Sequence, residues 1–497
     1  MKQYTDLELL KLSKPRRTGY KFKLFFAAIP GKFKALFIKI GNFFKKIGIG
    51  IFNWFKNLGL TFVHGDWKTK VSFFIMGFGN ISRKQVLRGL LFLFFEIIFI
   101  LYLVFFGGHY LSKLYILGTK PSSFNPDGTM NPGDNSFNIL LYGVLTLFFI
   151  AAFIYTWNLN IKQNRINEEI IKDKKKLASS TDDLRALVDE NFHKTLLALP
   201  VLGIIVFTVL PIFFMILVAF TNYDASHNPP NNLFGWVGLD NFNQLFTWSN
   251  AGGENFAMTF GQILLWTLVW AFFATFTNYF LGMLVAMLIN KKGIKFKKVW
   301  RTVLVLSIAI PQFISILFVS HIFETDGIIN GIFHTHIKFW EEPWLARIMV
   351  IVINIWIGVP YLMLVVTGIL MNIPADLYES ANIDGANAFQ QYTKITLPYM
   401  LFITGPYLLT SFTGNMNNFN VIYLLTGGGP SASEYAGNVG AGYTDLLITW
   451  LFKLAVSNEP NYKLAAVIGI MVFIVVAVLS LIVYNLIPST RNEEGFQ

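Results

Sequence analysis

Long apolar runs constrain the fold of this chain more than any other feature of its sequence. Each of eight runs is long enough to cross the hydrocarbon core of a bilayer, which takes about 20 residues of helix. Inside a bilayer the peptide groups cannot bond to water, so each run must satisfy its hydrogen bonds internally as a helix. We place the runs at 87–107, 136–158, 195–221, 258–290, 302–323, 346–371, 397–425 and 462–486. The sequence therefore predicts an all-α polytopic membrane protein with about eight transmembrane helices. Pro200, Pro211, Pro311 and Pro360 should bend the third, fifth and sixth of them.

The composition agrees with this fold class and excludes several functions. Hydrophobic residues make up 54% of the 497 residues and charged residues only 14%, which excludes a soluble globular protein. The chain has no cysteine, so disulfides, thiolate metal sites and cysteine nucleophiles are excluded. The first 20 residues are polar and basic, unlike a cleavable signal peptide. We expect neither a cofactor nor a metal site.

Basic residues are distributed unevenly between the two sides of the membrane. Of the 40 Lys and Arg residues, 17 lie in segment 1–86, eight in 159–194 and six in 291–301, whereas loop 222–257 has none. Cytoplasmic loops are enriched in Lys and Arg, so we expect these basic segments and both termini in the cytoplasm. The net charge of +12 then belongs to the membrane surface and does not indicate a nucleic-acid partner.

The basic N-terminal segment, residues 1–86, has the pattern of an amphipathic helix. Between Lys32 and Leu58 apolar residues recur at helical spacing, while Lys32, Lys39 and Lys46 form a separate stripe. Such a helix lies among lipid headgroups and is attracted to anionic lipid. It could instead pack on the transmembrane bundle, and we favour the membrane surface. The charged linker 159–194, between the first two spans (87–158) and the rest of the chain, is predicted to be a solvated helix.

A polar interruption at 372–396, between two apolar runs, predicts a compact helix–turn–helix on the cytoplasmic face. Asp376 can cap the first short helix, and Asp384-Gly385 can form the turn because glycine tolerates positive φ. Residues 386–395 would form the second helix. Such a shape suits docking into a groove of another protein. From the residues alone, an ordinary cytoplasmic loop remains an equal alternative.

Several ordered motifs resemble a known family. The string E-S-A-N-I-D-G-A at 379–386, with I-x-L-P at 395–398, resembles the coupling-loop signature of permease subunits of ABC importers. Segment 377–398, N-M-N-N-F after it, G-G-G-P at 427–430 and A-G-Y-T-D-L-L at 441–447 resemble MalF-type subunits of maltose/maltodextrin transporters. The resemblance covers about 195–490 and implies a type I ABC permease core there, with the N-terminal amphipathic segment as an extension.

This resemblance implies a function and a set of partners. The chain would be the permease subunit of an importer of maltose, maltodextrin or a related oligosaccharide in a bacterial cell membrane. The implied partners are a second, MalG-like permease subunit, a cytoplasmic ATPase dimer, an extracellular sugar-binding protein and membrane lipid. The external segment 426–461 would contact the binding protein, although loop 222–257 lacks the large domain that some relatives carry. The implied ATPase contacts are Glu379, Ser380, Ala381, Asp384, Gly385 and Ala386, where Ser380 replaces the usual alanine.

Polar residues inside two spans suggest where a sugar could bind. Asn354, Gly358 and Tyr361 follow one helical face, as do Ser411, Asn415 and Asn418 with Gly414 between them. Asn and Ser offer hydrogen bonds, Tyr361 offers a ring for stacking, and glycine leaves room for a pyranose. The alternative is that these side chains are hydrogen-bond contacts between helices. The resemblance implies that they line the sugar cavity together with Ile357. Gly414 departs from the aromatic residue of maltose permeases, so a longer or differently placed glucan is expected.

No motif indicates an enzyme. The chain lacks G-x-x-x-x-G-K-[ST], H-E-x-x-H and G-x-S-x-G, so energy should come from a separate ATPase. A rival from another class is an ion- or proton-coupled sugar transporter, supported only by Glu96 within the first span. A buried partner for Glu96 is the simpler explanation, and His321 is expected at the interface.

Overall fold

A computed structural model of the protein describes residues 14–124, 127, 130–247, 256–291, 293–436 and 440–486. Both termini, and with them Arg491 and the first residues of the N-terminal segment, lie outside the described residues. The helices of the first half are α1 (Lys14–His64), α2 (Trp67–Val71), α3 (Phe78–Ile81), α4 (Val86–Lys113), α5 (Ser136–Lys172), α6 (Ser180–Val188), α7 (Phe192–Val218) and α8 (Asp240–Phe246). Strands β1 (Ser123–Phe124) and β2 (Met130–Asn131) pair antiparallel.

The second half contains the helices around which the candidate site is built. They are α9 (Phe256–Asn290), α10 (Lys297–Ala309), α11 (Gln312–Ile322), α12 (Ile328–Phe333), α13 (Pro343–Leu370), α14 (Ala375–Ile383), α15 (Ala388–Gln391), α16 (Leu397–Met416), α17 (Phe419–Thr426), α18 (Ser433–Ala436), α19 (Leu447–Val456) and α20 (Tyr462–Leu486). The structure divides into two compact units. Unit 1 comprises Met1–His109 and Thr146–Leu202, and unit 2 comprises Tyr110–Leu145 and Gly203–Gln497.

The predicted membrane spans are confirmed in number and type. By length and composition, seven helices of the described residues are long and apolar enough to cross a membrane, and there are eight if one bent pair of helices is counted as a single span. That pair is α10 and α11, which the sequence predicts as one span at 302–323; the two helices meet at an angle of 91°. Pro311 lies between them with ψ of 125°, outside the helical region, and accounts for the break. Helix α9 is about 52 Å long at 1.5 Å per residue, which exceeds the bilayer core.

Prolines explain two further irregularities of the spans. A π-helical turn at Ile205–Val209 precedes Pro211, and another at Tyr392–Thr396 precedes Pro398. Each proline lacks an N–H, and its ring would clash with the carbonyl four residues earlier, so a wider turn relieves the clash. Helix α13, in contrast, continues through Pro360 from Pro343 to Leu370. The helical hydrogen-bonded structure of this span therefore continues past Pro360.

Unit 1 contains a buried polar core beneath its first span. The Arg83 side chain is 2% exposed and donates to Asp66 at 2.7 Å, Asn164 at 2.6 Å and Thr69 at 3.0 Å. Glu168 accepts a hydrogen bond from the Asp66 backbone N–H at 2.7 Å. Buried ionic groups are tolerated when they are paired and hydrogen-bonded in this way. Asn164 is completely buried and Glu168 is 8% exposed, and both belong to the C-terminal part of α5. The prediction of a solvated helix across 159–194 is therefore wrong for its first part.

Helix α9 lies at the centre of unit 2. It packs against neighbouring helices on one side, and its other side is apolar and exposed, with Leu265 and Phe272 61% and 52% exposed, as expected of a membrane span. One buried cluster joins Trp266 and Trp270 of α9 to Ile316 of α11 and to residues of α13 and α17. A second cluster joins Tyr279 and Met283 of α9 to residues of α13 and α16. The polar side chains that α9 presents to α13 and α16 are therefore held on a fixed support.

Two glycines allow α9 and α13 to approach closely. A Cβ on Gly282 of α9 would lie 2.7 Å from Leu362 Cβ, and a Cβ on Gly358 of α13 would lie 2.2 Å from Asn278 Nδ2. Asn278 and Gly282 are four residues apart on α9, as Gly358 and Leu362 are on α13, so each helix offers a glycine to a larger residue of the other. Membrane helices gain little from burying apolar surface away from lipid, so such close packing stabilises their contact.

Candidate functional site

A cavity of about 420 Å³ opens where α10 and α11 meet. Three predicted sugar-site residues of α13 line it, namely Ile357, Gly358 and Tyr361. The Tyr361 side chain is half exposed, so its ring is available for stacking. Pockets of 300–1,000 Å³ with a few polar groups are typical of small-molecule sites. The cavity is thus a candidate binding site for a ligand with hydroxyl groups.

The break between α10 and α11 adds polar groups to this cavity that the sequence analysis missed. Ser307, Gln312 and Ser315 face the same cavity as Tyr361. From the sequence, Pro311 predicts only a bend in the fifth span. A broken span leaves backbone and polar side chains unpaired within the membrane, and such breaks are tolerated where they line a cavity or are buried in protein. The neighbouring Ser and Gln residues were therefore the available signal.

Asn354 and Gly358 lie against α9. Asn354 is only 5% exposed, and its backbone carbonyl accepts a hydrogen bond from Asn278 Nδ2 at 3.4 Å. Among the described residues, Asn354 Nδ2 and Asn278 Oδ1 are buried without a hydrogen-bond partner. The room beside Gly358 is filled by Asn278, which corrects the expectation that this glycine leaves space for a pyranose. The structure brings Asn278, a polar residue in an apolar run, to the predicted site.

The second predicted set divides between two helices. Asn415 of α16 donates to Thr275 Oγ1 at 3.0 Å, and its side-chain oxygen accepts from Asn418 Nδ2 at 3.3 Å. Helix α16 ends at Met416, so Asn418 does not continue its face, contrary to the prediction. Asn418 instead caps α17 by accepting from the Val421 N–H at 3.3 Å.

Ser411 and Gly414 lie nearer to open space. Tyr407 of α16 lies within hydrogen-bond reach of Ser411 and near Tyr361 of α13, so the two predicted sets approach each other here. Gly414 is exposed, and no heavy atom lies within 4 Å of the position of an added Cβ. An aromatic side chain would therefore fit at this position.

The segment 372–396 forms the predicted helix–turn–helix. Helix α14 ends at Ile383, Gly385 turns the chain with φ of +76°, and Asn387 begins α15 with a capping box to Gln390. Gln391 Nε2 donates to Asn382 Oδ1 at 2.6 Å and ties the two helices together. The predicted cap is wrong in one detail. Pro374 precedes α14 without a side-chain cap, and Asp376 lies in its first turn.

This helix–turn–helix presents both charge and apolar surface. Glu379, Ser380, Asp384 and Gly385 are exposed, whereas Ala381 and Ala386 are half-buried. Ile383 and Phe389 are 88% and 72% exposed. Exposed large apolar side chains rimmed by polar residues are typical of protein–protein contact sites.

The segment after α17 is held by a buried ion pair. Asp445 is completely buried, and it accepts hydrogen bonds from Lys453 Nζ at 2.6 Å and from the Gly442 N–H at 2.7 Å. Burial raises the pKa of Asp445 to about 6, against the lowering effect of Lys453. Helix α19 begins only at Leu447 and buries Trp450. Part of the segment 426–461, which is expected from the sequence to be external, is therefore interior.

Together these features define a class of protein. It is a polytopic helical membrane protein with a polar cavity at a broken span and an exposed helix–turn–helix between two other spans. This is the architecture of a transport permease.

Comparisons with known proteins identify the family. Residues 278–492 match the family described as binding-protein-dependent transport system inner membrane component. The maltodextrin transport system permease protein MalC of Streptococcus pneumoniae serotype 4 is 34% identical over 434 residues, covering 84% of this chain and 95% of MalC. The maltodextrin permease protein MdxF of Bacillus subtilis is 33% identical over 434 residues, with coverage of 84% and 95%. The galactooligosaccharides permease protein GanP of the same organism is 33% identical over 435 residues, with coverage of 84% and 97%. The chain belongs to this family of permeases, as its MalF-type motifs predict.

Proposed function

We propose that this chain carries maltodextrin or a related oligosaccharide across a bacterial cell membrane as the permease subunit of an ABC importer. The observation that carries the proposal is the similarity to MalC and MdxF over 95% of their length, since both are named for maltodextrin transport. GanP, at nearly the same identity, is named for galactooligosaccharides, so the proposal extends to oligosaccharides of that class.

The proposed sugar path follows the cavity at the broken span. Tyr361 supplies a stacking surface, and Ser307 and Gln312 supply hydrogen-bonding groups beside it. Ser411 and Gly414 would extend the path along α16, while Asn354, Asn415 and Asn418 would contribute once a change of conformation exposes them. Because Gly414 leaves open space where maltose permeases carry a ring, a longer glucan has room to pass.

The proposed coupling element is the helix–turn–helix at 372–396. Its exposed Ile383 and Phe389 would insert into a groove of a cytoplasmic ATPase subunit, and Glu379 would contact the rim of that groove. Closure of an ATPase dimer would then move this element and rock the bundle around the cavity. One such element engages one ATPase, so a second permease chain would engage the other. The basic segments and both termini would face the cytoplasm, and 426–461 would face the extracellular binding protein.

The proton-coupled alternative has less support. Glu96 is buried in the first span, and its carboxylate accepts a hydrogen bond from the Met76 backbone N–H at 2.8 Å. This contact gives Glu96 a structural role in unit 1 and supplies the buried partner that was expected from the sequence. His321 is exposed and pairs with Glu324 at 2.7 Å, which suits an interfacial position.

Reconstitution would test the proposal. The chain would be co-purified with its ATPase and second permease subunit, and the complex placed in vesicles with the binding protein. Uptake of labelled maltotriose that requires ATP, and that continues after a protonophore dissipates the proton gradient, would support it. Uptake that continues without ATP and follows the proton gradient would refute it in favour of a secondary transporter. A panel of maltodextrins and galactooligosaccharides would then define the substrate by stimulated ATP hydrolysis.

A further inference from the structure

Within unit 1, a small cavity lies between α1 and the C-terminal part of α5. Its volume is about 220 Å³. Trp54, Asn57, Leu58 and Thr61 line it from α1, and Asn158, Ile161, Lys162 and Arg165 line it from α5. This volume lies below the range of pockets that enclose a drug-sized ligand, so the cavity suits a headgroup better than an oligosaccharide.

The two helices are fixed to each other at this cavity. Trp54 Nε1 donates to Asn158 Oδ1 at 3.0 Å and joins α1 to α5 across 104 residues of sequence. Leu58 is half-buried and Ile161 is buried, so together they form an apolar floor. The cavity is therefore a built feature of unit 1 and does not depend on a single mobile side chain.

Its polar lining is cationic. Lys162 and Arg165 are both exposed and lie one helical turn apart on α5. Arg165 Nε pairs with Glu169 at 3.1 Å, but this pair is more than half exposed on both sides and leaves the other guanidinium nitrogens available. Among the residues that the structure describes, Lys162 has no carboxylate within ion-pair distance. Thr61 already donates to the Asn57 backbone carbonyl at 2.8 Å, so the lining donors suited to a phosphate are the Lys162 ammonium, the Arg165 guanidinium and the Asn57 amide.

Both helices that line the cavity also carry exposed apolar side chains. On α1, Phe44, Phe52 and Phe55 are 65%, 68% and 61% exposed, and Tyr155 of α5 is 65% exposed. A membrane-surface helix has this combination of exposed apolar residues and nearby cations. Basic pockets on the cytoplasmic side of membrane helices bind anionic lipid headgroups.

We propose that this cavity is a binding site for one anionic phospholipid, whose phosphate lies between Lys162 and Arg165 and whose acyl chains lie along the exposed apolar residues of α1 and α5. The bound lipid would fix α1 against the second span. The inference rests on the proposed location of α1 at the cytoplasmic membrane surface and not on the identity of the transported sugar.

Native mass spectrometry of the full chain in detergent would test the site directly. The probes are phosphatidylglycerol and phosphatidylcholine of equal chain length. Lys162→Gln with Arg165→Gln should weaken retention of phosphatidylglycerol roughly 30-fold, from the loss of two cation contacts. Lys172→Gln with Lys176→Gln removes the same charge from exposed positions outside the cavity and should leave retention unchanged. Exchange of the two cations, Lys162→Arg with Arg165→Lys, should also retain the lipid.

The same experiment distinguishes the outcomes that overturn the proposal. Equal retention of both lipids, or equal weakening by both double variants, would mean unspecific lipid contact. Displacement of the lipid by millimolar inorganic phosphate would mean that the site takes soluble phosphate.

A separate experiment tests the location of α1. Because the chain has no native cysteine, Phe52→Cys gives a unique site for an environment-sensitive dye. If a dye at position 52 reports an aqueous environment in vesicles while the preference for phosphatidylglycerol is intact, the result rejects the surface location of α1 and leaves the lipid site supported.

Discussion

Substitution of Gly358 by alanine tests the contact between α9 and α13 on which the candidate site is built. The new Cβ would lie 2.2 Å from Asn278 Nδ2 and 2.8 Å from Asn278 Cγ, closer than any stable contact between these atoms. Asn278 is 6% exposed, so its amide cannot move aside into open space. Relief therefore requires a changed rotamer of Asn278 or a separation of the two helices.

Such overpacking of a close contact costs about 1–3 kcal/mol. The displaced amide would also lose its hydrogen bond to the Asn354 carbonyl, which adds about 1 kcal/mol. We therefore expect Gly358→Ala to lower the free energy of unfolding by roughly 2–4 kcal/mol. Gly368→Ala is the matched control, because Gly368 lies on the same helix and has no heavy atom within 4 Å of an added Cβ.

The assay is unfolding of the purified chain in mixed micelles by titration with SDS, followed by tryptophan fluorescence. Asn278→Ala in the Gly358→Ala background removes the clashing amide and should recover part of the loss, so the two substitutions should not be additive. If Gly358→Ala unfolds at the same SDS fraction as Gly368→Ala, or if the double variant shows the sum of the two losses, the contact with Asn278 does not restrict this position.

The coupling element, the buried ion pair and the open space beside Gly414 each give a further prediction. Glu379→Lys should abolish ATP-driven uptake and leave membrane insertion and the helical circular dichroism signal intact, because Glu379 is exposed; normal uptake would contradict its docking role. Burial raises the pKa of Asp445 to about 6, above about 3.9 for an unfolded aspartate, so only the folded chain takes up a proton between these values. The free energy of unfolding should therefore rise as pH falls from about 7 to about 4, and Asp445→Asn should remove that rise. Gly414→Phe should be tolerated in the open space beside Gly414 and should shift ATPase stimulation toward shorter maltodextrins; an unchanged preference would place the sugar elsewhere.

Much of the fold was predictable because a bilayer restricts the backbone of each crossing segment to a helix in a protein of this kind. The eight runs were recognisable because a helix needs a known length to cross a bilayer. The turn at Gly385 was predictable because such a turn requires positive φ, which glycine adopts readily. The right-angled break at Pro311 was predictable only as a bend, because the angle depends on how α10 and α11 pack. The ends of the helices were also uncertain, as the capping of α14 after Pro374 demonstrates.

The buried polar core of unit 1 could not be predicted in the same way. Arg83, Asn164 and Glu168 lie in basic or charged segments whose composition is typical of solvated loops. Their burial depends on partners that are remote in sequence, since Arg83 and Asn164 are separated by 81 residues. Composition reports the average environment of a segment, whereas burial of an ion pair depends on one particular contact.

A polar residue in an apolar helix can bind a ligand or join two helices, and contact geometry separates the two roles. Asn415 already donates to Thr275 at 3.0 Å, and its backbone carbonyl accepts from Trp270 Nε1 at 3.1 Å. A sugar hydroxyl must displace the bond to Thr275 before it reaches this amide, whereas the half-exposed ring of Tyr361 can be contacted without breaking such a bond. Tyr361→Ala should therefore raise the sugar concentration needed for half-maximal ATPase stimulation and leave stability nearly unchanged. Asn415→Ala and Thr275→Val should lower stability by a similar amount of about 1 kcal/mol. If only Asn415→Ala weakens the sugar response, Asn415 contacts the sugar after its bond to Thr275 breaks, as the proposed path requires. If Asn415→Ala and Thr275→Val change the sugar response alike, Asn415 only joins α16 to α9 and does not belong to the sugar path.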